Sequence, residues 1–450
     1  MQSSTTTNGH NRVDTESTVF DGNGISGLPA SPQGSSFMPS TVNGSAAPTV
    51  IPPEHPFRTL VLAFDGTGDQ FDNDNSNIVQ LFSMLLKGDR TRQMVYYQAG
   101  IGTYTTPQIA TPFFSKISKF IDEAIAWNLD AHVMGGYEFL MQNYTTNDRI
   151  CIFGFSRGAY TARSLAGMIH KVGLLPSDNH QQIPFAYKMY SDETEVGWAQ
   201  SNAFKKAFSI DVDIEFVGVW DTVNSVGLIP RRLPFTTSNT IVWFSGCHCD
   251  VGGGSVDNET VHNLARIPLR WMIRECFKTN SGIMFDCEGL RSIGLDPGHL
   301  YPTVVSRPPP LPVGNLHIRS IPSSKEQSEA QKEAALTNFA NSEAAQVTQK
   351  TEEELELQDA LCPIYDQLNL AWFWWILEFL PLKQRYQAGD NRWVEYFGWN
   401  MGRGRFIPKQ KTNGIRVHRS VKMRLEAQTE SGGKYKPKAA FDLARTTWVD

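Results

Sequence analysis

Five residues constrain this chain more than any others: Gly154-Phe155-Ser156-Arg157-Gly158. They follow an apolar run, Arg149-Ile150-Cys151-Ile152-Phe153, that reads as a buried strand. They precede Ala159 to Lys171, a stretch of small and helix-favouring residues that stops before Gly173. A strand that turns sharply into a helix around G-x-S-x-G is the setting of a nucleophile elbow. Gly154 and Gly158 permit the turn, because a Cβ at either position would crowd the strand or the helix. Ser156 then stands where the dipole and unpaired N–H groups of a helix N-terminus favour developing negative charge. The plainer alternative is a serine that merely caps the helix.

The rest of the chain supplies a frame for that turn. Arg58-Thr59-Leu60-Val61-Leu62-Ala63-Phe64 is a continuous apolar run, as expected of a parallel strand covered on both faces, and it ends at the turn signal Asp65-Gly66-Thr67-Gly68. Asn77 to Leu86 has helical spacing, Met94 to Tyr97 reads as a strand, and a Gly/Thr/Pro loop from Gly100 to Pro112 leads to a long helix ending near Asn143. Two further strands, Ile214 to Trp220 and Thr240 to Gly246, run into Asp221-Thr222-Val223 and Cys247-His248-Cys249-Asp250. Strand and helix alternate, which predicts an α/β fold: a mostly parallel sheet with helices on both faces. Such sheets bind ligands at the carboxyl ends of their strands, where Asp65, Ser156, Asp221 and His248 all fall.

Four regions follow from composition. Residues 1–55 are rich in Ser, Thr, Asn, Gly and Pro and read as a disordered tail. Residues 56–300 hold the catalytic domain, 301–364 a Pro-rich linker with a charged helical or disordered insertion, and 365–450 an aromatic-rich segment expected to dock back on the domain. The aromatic cluster at 372–375 reads as a packing face in that segment rather than a lipid contact. A net charge of −5 gives no reason to expect nucleic acid. Six cysteines without a framework spacing suit a reducing compartment. No secretory leader or membrane-spanning run is recognisable, which predicts a cytoplasmic protein.

A serine hydroxyl is a poor nucleophile unless a base takes its proton, and the base needs an orienting partner. In chain order the candidates are Ser156, Asp221 and His248. Asp221 would hold one ring nitrogen of His248, and His248 would take the Ser156 proton. The oxyanion donors would be the N–H of Arg157 and one from Gly66 or Thr67. Against these stand plainer readings: Asp221 as a strand-end turn aspartate, and His248 as a buried histidine or a zinc ligand with Cys247, Cys249 or Asp250. Zinc is disfavoured because no second ligand cluster exists, and no cofactor is required. His170, His262 and His418 are weaker rivals as base. Asp65 invites comparison with a phosphoryl nucleophile, but the second aspartate such a site needs, two residues earlier, is Ala63. The run Asp250-Val251-Gly252-Gly253-Gly254 is read as letting the backbone pass close beneath His248, rather than as an anion nest.

Four motifs in order, Phe64-Asp65-Gly66-Thr67, Gly154 to Tyr160, Val219-Trp220-Asp221-Thr222-Val223 and His248-x-Asp250-Val251-Gly252-Gly253-Gly254, resemble the catalytic domain of type VI secretion lipase effectors and of fungal proteins carrying that α/β-hydrolase domain. The resemblance covers about residues 57–280. It implies a Ser156, Asp221, His248 triad, with Asp65, Gly154, Gly158 and Asp250 as structural motif residues, and its bacterial members are phospholipases. It thus implies a lipid or small ester substrate and peripheral membrane contact. One departure stands out: only about twenty-five residues separate Asp221 from His248, where the family carries a longer segment with an Ala-x-Asp-Glu-Arg-Arg-like stretch. The alternative reading is therefore a catalytically silent, hydrolase-like binding protein. Nothing in the sequence fixes the oligomeric state.

Overall fold

The computed structural model describes residues 48–66, 71–100, 129–222, 241–322, 350–379, 381–390 and 392–450. The expectations for Thr67, for the 1–47 part of the tail, for most of the Gly100 to Pro112 loop, for 223–240 and for 323–349 lie outside them.

The first described element is β1 (Val50–Ile51), which pairs antiparallel with β7 (Phe285–Asp286), so the tail expected to reach residue 55 gives way to structure earlier. The frame of the molecule is β2 (Thr59–Phe64), α1 (Asn77–Ser83), β3 (Gln93–Gln98), α2 (Leu129–Asn143), β4 (Arg149–Phe155), α3 (Ser156–Val172), α4 (Ile183–Ser191), α5 (Glu195–Phe208) and β5 (Ile214–Trp220). The four long strands form one sheet in the order β3-β2-β4-β5, every pair parallel.

All six residues of β2 are buried, as its unbroken apolar run predicts. Alternation then divides the core in two. Val61 and Ala63, with Cys151, Phe153 and Phe155 of β4, face Ile78 and Leu81 of α1 and Leu269, Met272 and Ile273 of α7 (Arg266–Lys278). Leu60, Leu62 and Phe64, with Ile150 and Ile152, face Val133, Tyr137 and Leu140 of α2 and Ala162, Leu165 and Ile169 of α3. Each of the larger aliphatic and phenylalanine side chains among them contributes about 1.5–3 kcal/mol of burial energy. The chain order reverses between β2 and β4, and the carboxyl ends of those two strands therefore flank the crevice where a parallel sheet presents a ligand site.

Two expectations need correcting. The strand expected from Thr240 to Gly246 is, among described residues, only β6 (Val242–Trp243). It joins β10 (Ile415–His418) and β11 (Thr446–Val449) rather than the central sheet. The residues that follow it form a short helix, α6 (His248–Gly252). The charged region before residue 361, expected to be a helical or disordered insertion, contains α9 (Glu352–Ala360), in which Glu352, Glu356, Leu357, Asp359 and Ala360 are buried. Its Glu352 is paired with Arg274 and its Glu356 with Arg307 (2.8 Å) and Arg419 (2.7 Å). Carboxylates are rarely buried unless paired in this way, and these pairs tie the Pro-rich segment and α10 (Arg419–Glu426) to α7.

The C-terminal segment also contains a two-stranded antiparallel hairpin, β8 (Leu382–Gln387) and β9 (Trp393–Gly398). Of the aromatic cluster expected to be a core face, Trp372 is 77 % exposed and the nearby Ile376 56 %. No helix among the described residues is long and apolar enough to cross a membrane.

Candidate active site

β4 lies between β2 and β5, in a register that sets Gly154 opposite Phe64 and Phe155 opposite Trp220. The chain then turns at Ser156, whose φ of +57° is left-handed, and α3 begins at that residue. A non-glycine residue in this conformation costs about 1–3 kcal/mol and persists only where its surroundings over-determine it. Here they do. A Cβ on Gly154 would lie 2.4 Å from the Gly158 carbonyl oxygen. One on Gly158 would lie 2.2 Å from the Phe64 carbonyl oxygen and 2.4 Å from that of Asp65. Both glycines are thus needed for the first turn of α3 to seat against the ends of β2 and β4. Ser156 does not cap the helix: the N-cap is Phe155, with no side-chain cap bond.

The Ser156 hydroxyl instead lies 2.8 Å from Nε2 of His248. The other ring nitrogen, Nδ1, is 2.5 Å from Oδ2 of Asp221. An ionised carboxylate only accepts, so Nδ1–H donates to Asp221 and Nε2 is left to accept the serine proton. Asp221 directly follows β5 and, like Ser156, has left-handed backbone, with φ +40°. Burial pushes its carboxyl up, but the hydrogen bond from His248 and the charge of Arg405 outweigh that and hold it below the usual carboxylate range. The His248 ring stacks on Phe155, 4.7 Å between centroids. The residue preceding the catalytic candidate serine therefore supports the histidine.

The turn that carries His248 is fixed from behind. Asp250, 1 % exposed, accepts from the N–H of Cys247 (2.8 Å) and from that of Tyr365 (3.1 Å). Gly252 backs onto the Phe155 ring, where a Cβ would come within 1.8 Å of Cε2. This agrees with close backbone passage as the use of the glycine run.

Asp65 is an organiser. It accepts from the Gly66 N–H (2.8 Å), Ser76 Oγ (2.6 Å) and Tyr97 Oη (2.8 Å), and burial raises its carboxyl despite those bonds. That spends the Gly66 N–H, so the expectation that Gly66 faces an oxyanion is not met in this conformation. Arg157 lies in the first turn of α3. The rival histidines are engaged elsewhere. His170 is at the exposed end of α3, His262 pairs with Asp359 (3.1 Å), and His418 is buried against Ser420 Oγ (2.9 Å). No cluster of His, Cys, Asp or Glu among the described residues could hold a metal ion. A polar cavity of about 40 Å³, lined by Asn77, Gly253, Ser255 and Arg266 among others, contains none of Ser156, Asp221 and His248.

Two residues at the site escaped the sequence reading. Arg405 forms a two-pronged ion pair with Asp221, Nη2 to Oδ2 at 2.6 Å and Nη1 to Oδ1. Arg163 of α3 donates to Thr222 Oγ1 (3.2 Å), beside Asp221. For Arg163 a signal existed, since it lies two helical turns from Ser156 and so on the same face of α3. Arg405 offers none.

Comparison with known proteins bears on this geometry. Residues 58–242 and 234–275 match the model of a type VI secretion system phospholipase effector, the Tle1-like catalytic domain. The uncharacterized protein YEL023C of Saccharomyces cerevisiae is 38 % identical over 201 residues, which are 41 % of this chain and 30 % of the yeast protein. The matched part thus spans less than a third of that relative. Among solved structures, an uncharacterized protein from Pseudomonas aeruginosa is similar over 69 % of this chain and 64 % of its own (13 % identity, TM-score 0.29). The Tle1 effector bound to the VgrG spike is similar over 38 % and 40 % respectively (20 % identity, TM-score 0.21). Through residues 58–275, just under half of its length, the chain is similar to the Tle1-like catalytic domain family.

Proposed function

We propose that this chain is a serine hydrolase of carboxylic esters, with a lipid or phospholipid as substrate. One observation carries the reading: a single imidazole bonded on one side to the Asp221 carboxylate (2.5 Å) and on the other to a strained serine hydroxyl (2.8 Å). The chain order Ser156, Asp221, His248 is that of α/β-hydrolases. The Tle1-like family supports the substrate class.

In this reading Ser156 Oγ attacks the ester carbonyl as His248 Nε2 takes its proton, and Asp221 stabilises the imidazolium that results. The tetrahedral oxyanion forms at the N-terminus of α3, facing the Arg157 N–H and the positive end of the helix dipole. Imidazolium then protonates the departing alcohol, leaving an acyl ester on Ser156. Water, deprotonated by the same Nε2, releases the acid and restores the serine. One oxyanion donor of this kind is worth roughly 10²–10³ in rate.

A second reading draws on two observations: the Gly66 N–H is taken by Asp65, and the stretch between Asp221 and His248 is short. Both favour a silent, hydrolase-like binding protein. Purified protein assayed on short acyl esters and on phospholipid vesicles separates the two. Acid release by wild type that is lost in Ser156→Ala and His248→Ala supports the enzyme, and silence of folded wild type on every ester supports the scaffold.

A further inference from the structure

Arg405 lies in the C-terminal segment, far beyond the residues that match the catalytic family, yet both prongs of its guanidinium meet Asp221. We infer that Arg405 is a positioning residue of this site, which completes it from outside the catalytic domain by locking the Asp221 carboxylate in the plane that His248 requires. The inference rests on the triad reading above and extends it to the part of the chain that carries the clamp.

Four observations converge. First, the geometry is specific. A bidentate guanidinium–carboxylate pair fixes a plane, not merely a distance. Asp221 needs such fixing, because its left-handed backbone (φ +40°) must be held by partners. Second, Oδ2 is shared: it accepts from both Arg405 Nη2 and His248 Nδ1, so rotation of the carboxylate would break both bonds together.

Third, the arginine is presented from an anchored backbone. On one side Gly404 is pressed so closely on the chain that a Cβ would lie 2.3 Å from the Lys438 carbonyl oxygen. On the other, Phe406 stacks on Tyr386 with centroids 3.8 Å apart and rings 10° from parallel, and Arg403 lies over the Phe406 ring. The next residue, Ile407, is buried. Fourth, the same C-terminal segment reaches the histidine side of the site through the Tyr365 N–H on Asp250, which also binds the Cys247 N–H beside His248. The acid and the base are thus each held by a contact from beyond residue 360.

The Arg405 side chain is 52 % exposed, which limits its energetic worth and makes its place accessible from solvent. The test uses that access. Fluorophosphonate labelling rates are measured on the full-length protein as wild type, Arg405→Ala, Arg405→Lys, Ser156→Ala and the distant Arg392→Ala, each with and without millimolar guanidinium. Arg405→Ala should label about tenfold more slowly, the low end for a charged hydrogen bond at a half-exposed position. Guanidinium should recover most of that loss, and Arg405→Lys part of it, with Arg392→Ala unaffected throughout. A purely structural role would not respond to free guanidinium.

The inference is overturned if Arg405→Ala labels at the wild-type rate, or if its loss is recovered by neither guanidinium nor lysine. If folded wild type fails to label at all, the triad reading falls and takes this inference with it. A downfield proton resonance of the His248–Asp221 hydrogen bond gives a readout independent of turnover. It should be present in wild type, absent in His248→Ala, weakened in Arg405→Ala and restored by guanidinium; insensitivity to Arg405→Ala would contradict the clamp.

Discussion

The two halves of the candidate site are built by different means. Ser156 emerges from the end of β4, which is paired in parallel on both sides and almost wholly buried, and Asp221 from the end of β5, which pairs in parallel with β4 at the edge of that sheet. The segment that braces them, beyond residue 360, reaches the site through the two-pronged pair of Arg405 with Asp221 and the Tyr365 N–H on Asp250. Its hairpin alternates exposed and half-buried residues along β9, with Trp393 and Phe397 on the open side. Reactive groups are thus held by main-chain geometry, and their partners by side-chain pairing.

Predictions that probe this contrast run from total loss to no effect. Ser156→Ala should abolish ester turnover while leaving thermal stability within about 1 kcal/mol of wild type, since the hydroxyl makes no cap bond; relief of left-handed strain is not available to alanine. Retained turnover with normal folding would remove Ser156 from the chemistry. Gly158→Ala should cost about 3 kcal/mol or more, because its Cβ would meet two carbonyl oxygens of the β2 end and neither can move without breaking the sheet. A chemical denaturation midpoint equal to wild type would mean that the elbow is looser than described.

The C-terminal region carries a pH dependence of its own. Burial pushes the His418 ring down to about 3, and the charges of Arg307, His418 and Arg419 outweigh burial to hold Glu356 at about 2. Both values lie below those of the unfolded chain, 6.5 and 4.5, so both groups stabilise the fold above those values and lose that contribution as pH falls. Melting temperature should therefore drop between pH 7.5 and pH 5, mainly through His418. His418→Asn, which keeps an N-cap for α10, should flatten that drop. An unchanged slope would show that the histidine is not the acid-sensitive group. At the bottom of the scale, Arg392→Ala removes an exposed pair with Asp390 and should shift stability by less than about 0.5 kcal/mol.

What the sequence made legible follows the same division. β2 and β4 could be read because unbroken apolar runs of strand length admit few other structures, β5 because its run is broken only by Glu215, and G-x-S-x-G between strand and helix admits fewer still. β6 was misjudged because Ile241 to Phe244 looks like another such strand, whereas its partner β10 comes from the far end of the chain. α9 looked like part of an insertion because Glu352, Glu353, Glu354 and Glu356 dominate it. Only the arginines of α7, α10 and residue 307, distant in sequence, explain the burial of two of them. Arg405 was invisible for a related reason: Gly402-Arg403-Gly404-Arg405 has no periodicity, and a lone arginine acquires meaning only from the carboxylate it meets.

The central claim is that His248 activates Ser156, and the most direct test maps the fluorophosphonate adduct by peptide mass spectrometry. The account predicts one adduct, on Ser156, formed far more slowly in His248→Ala. An adduct on another residue, or none on folded wild type, would contradict it.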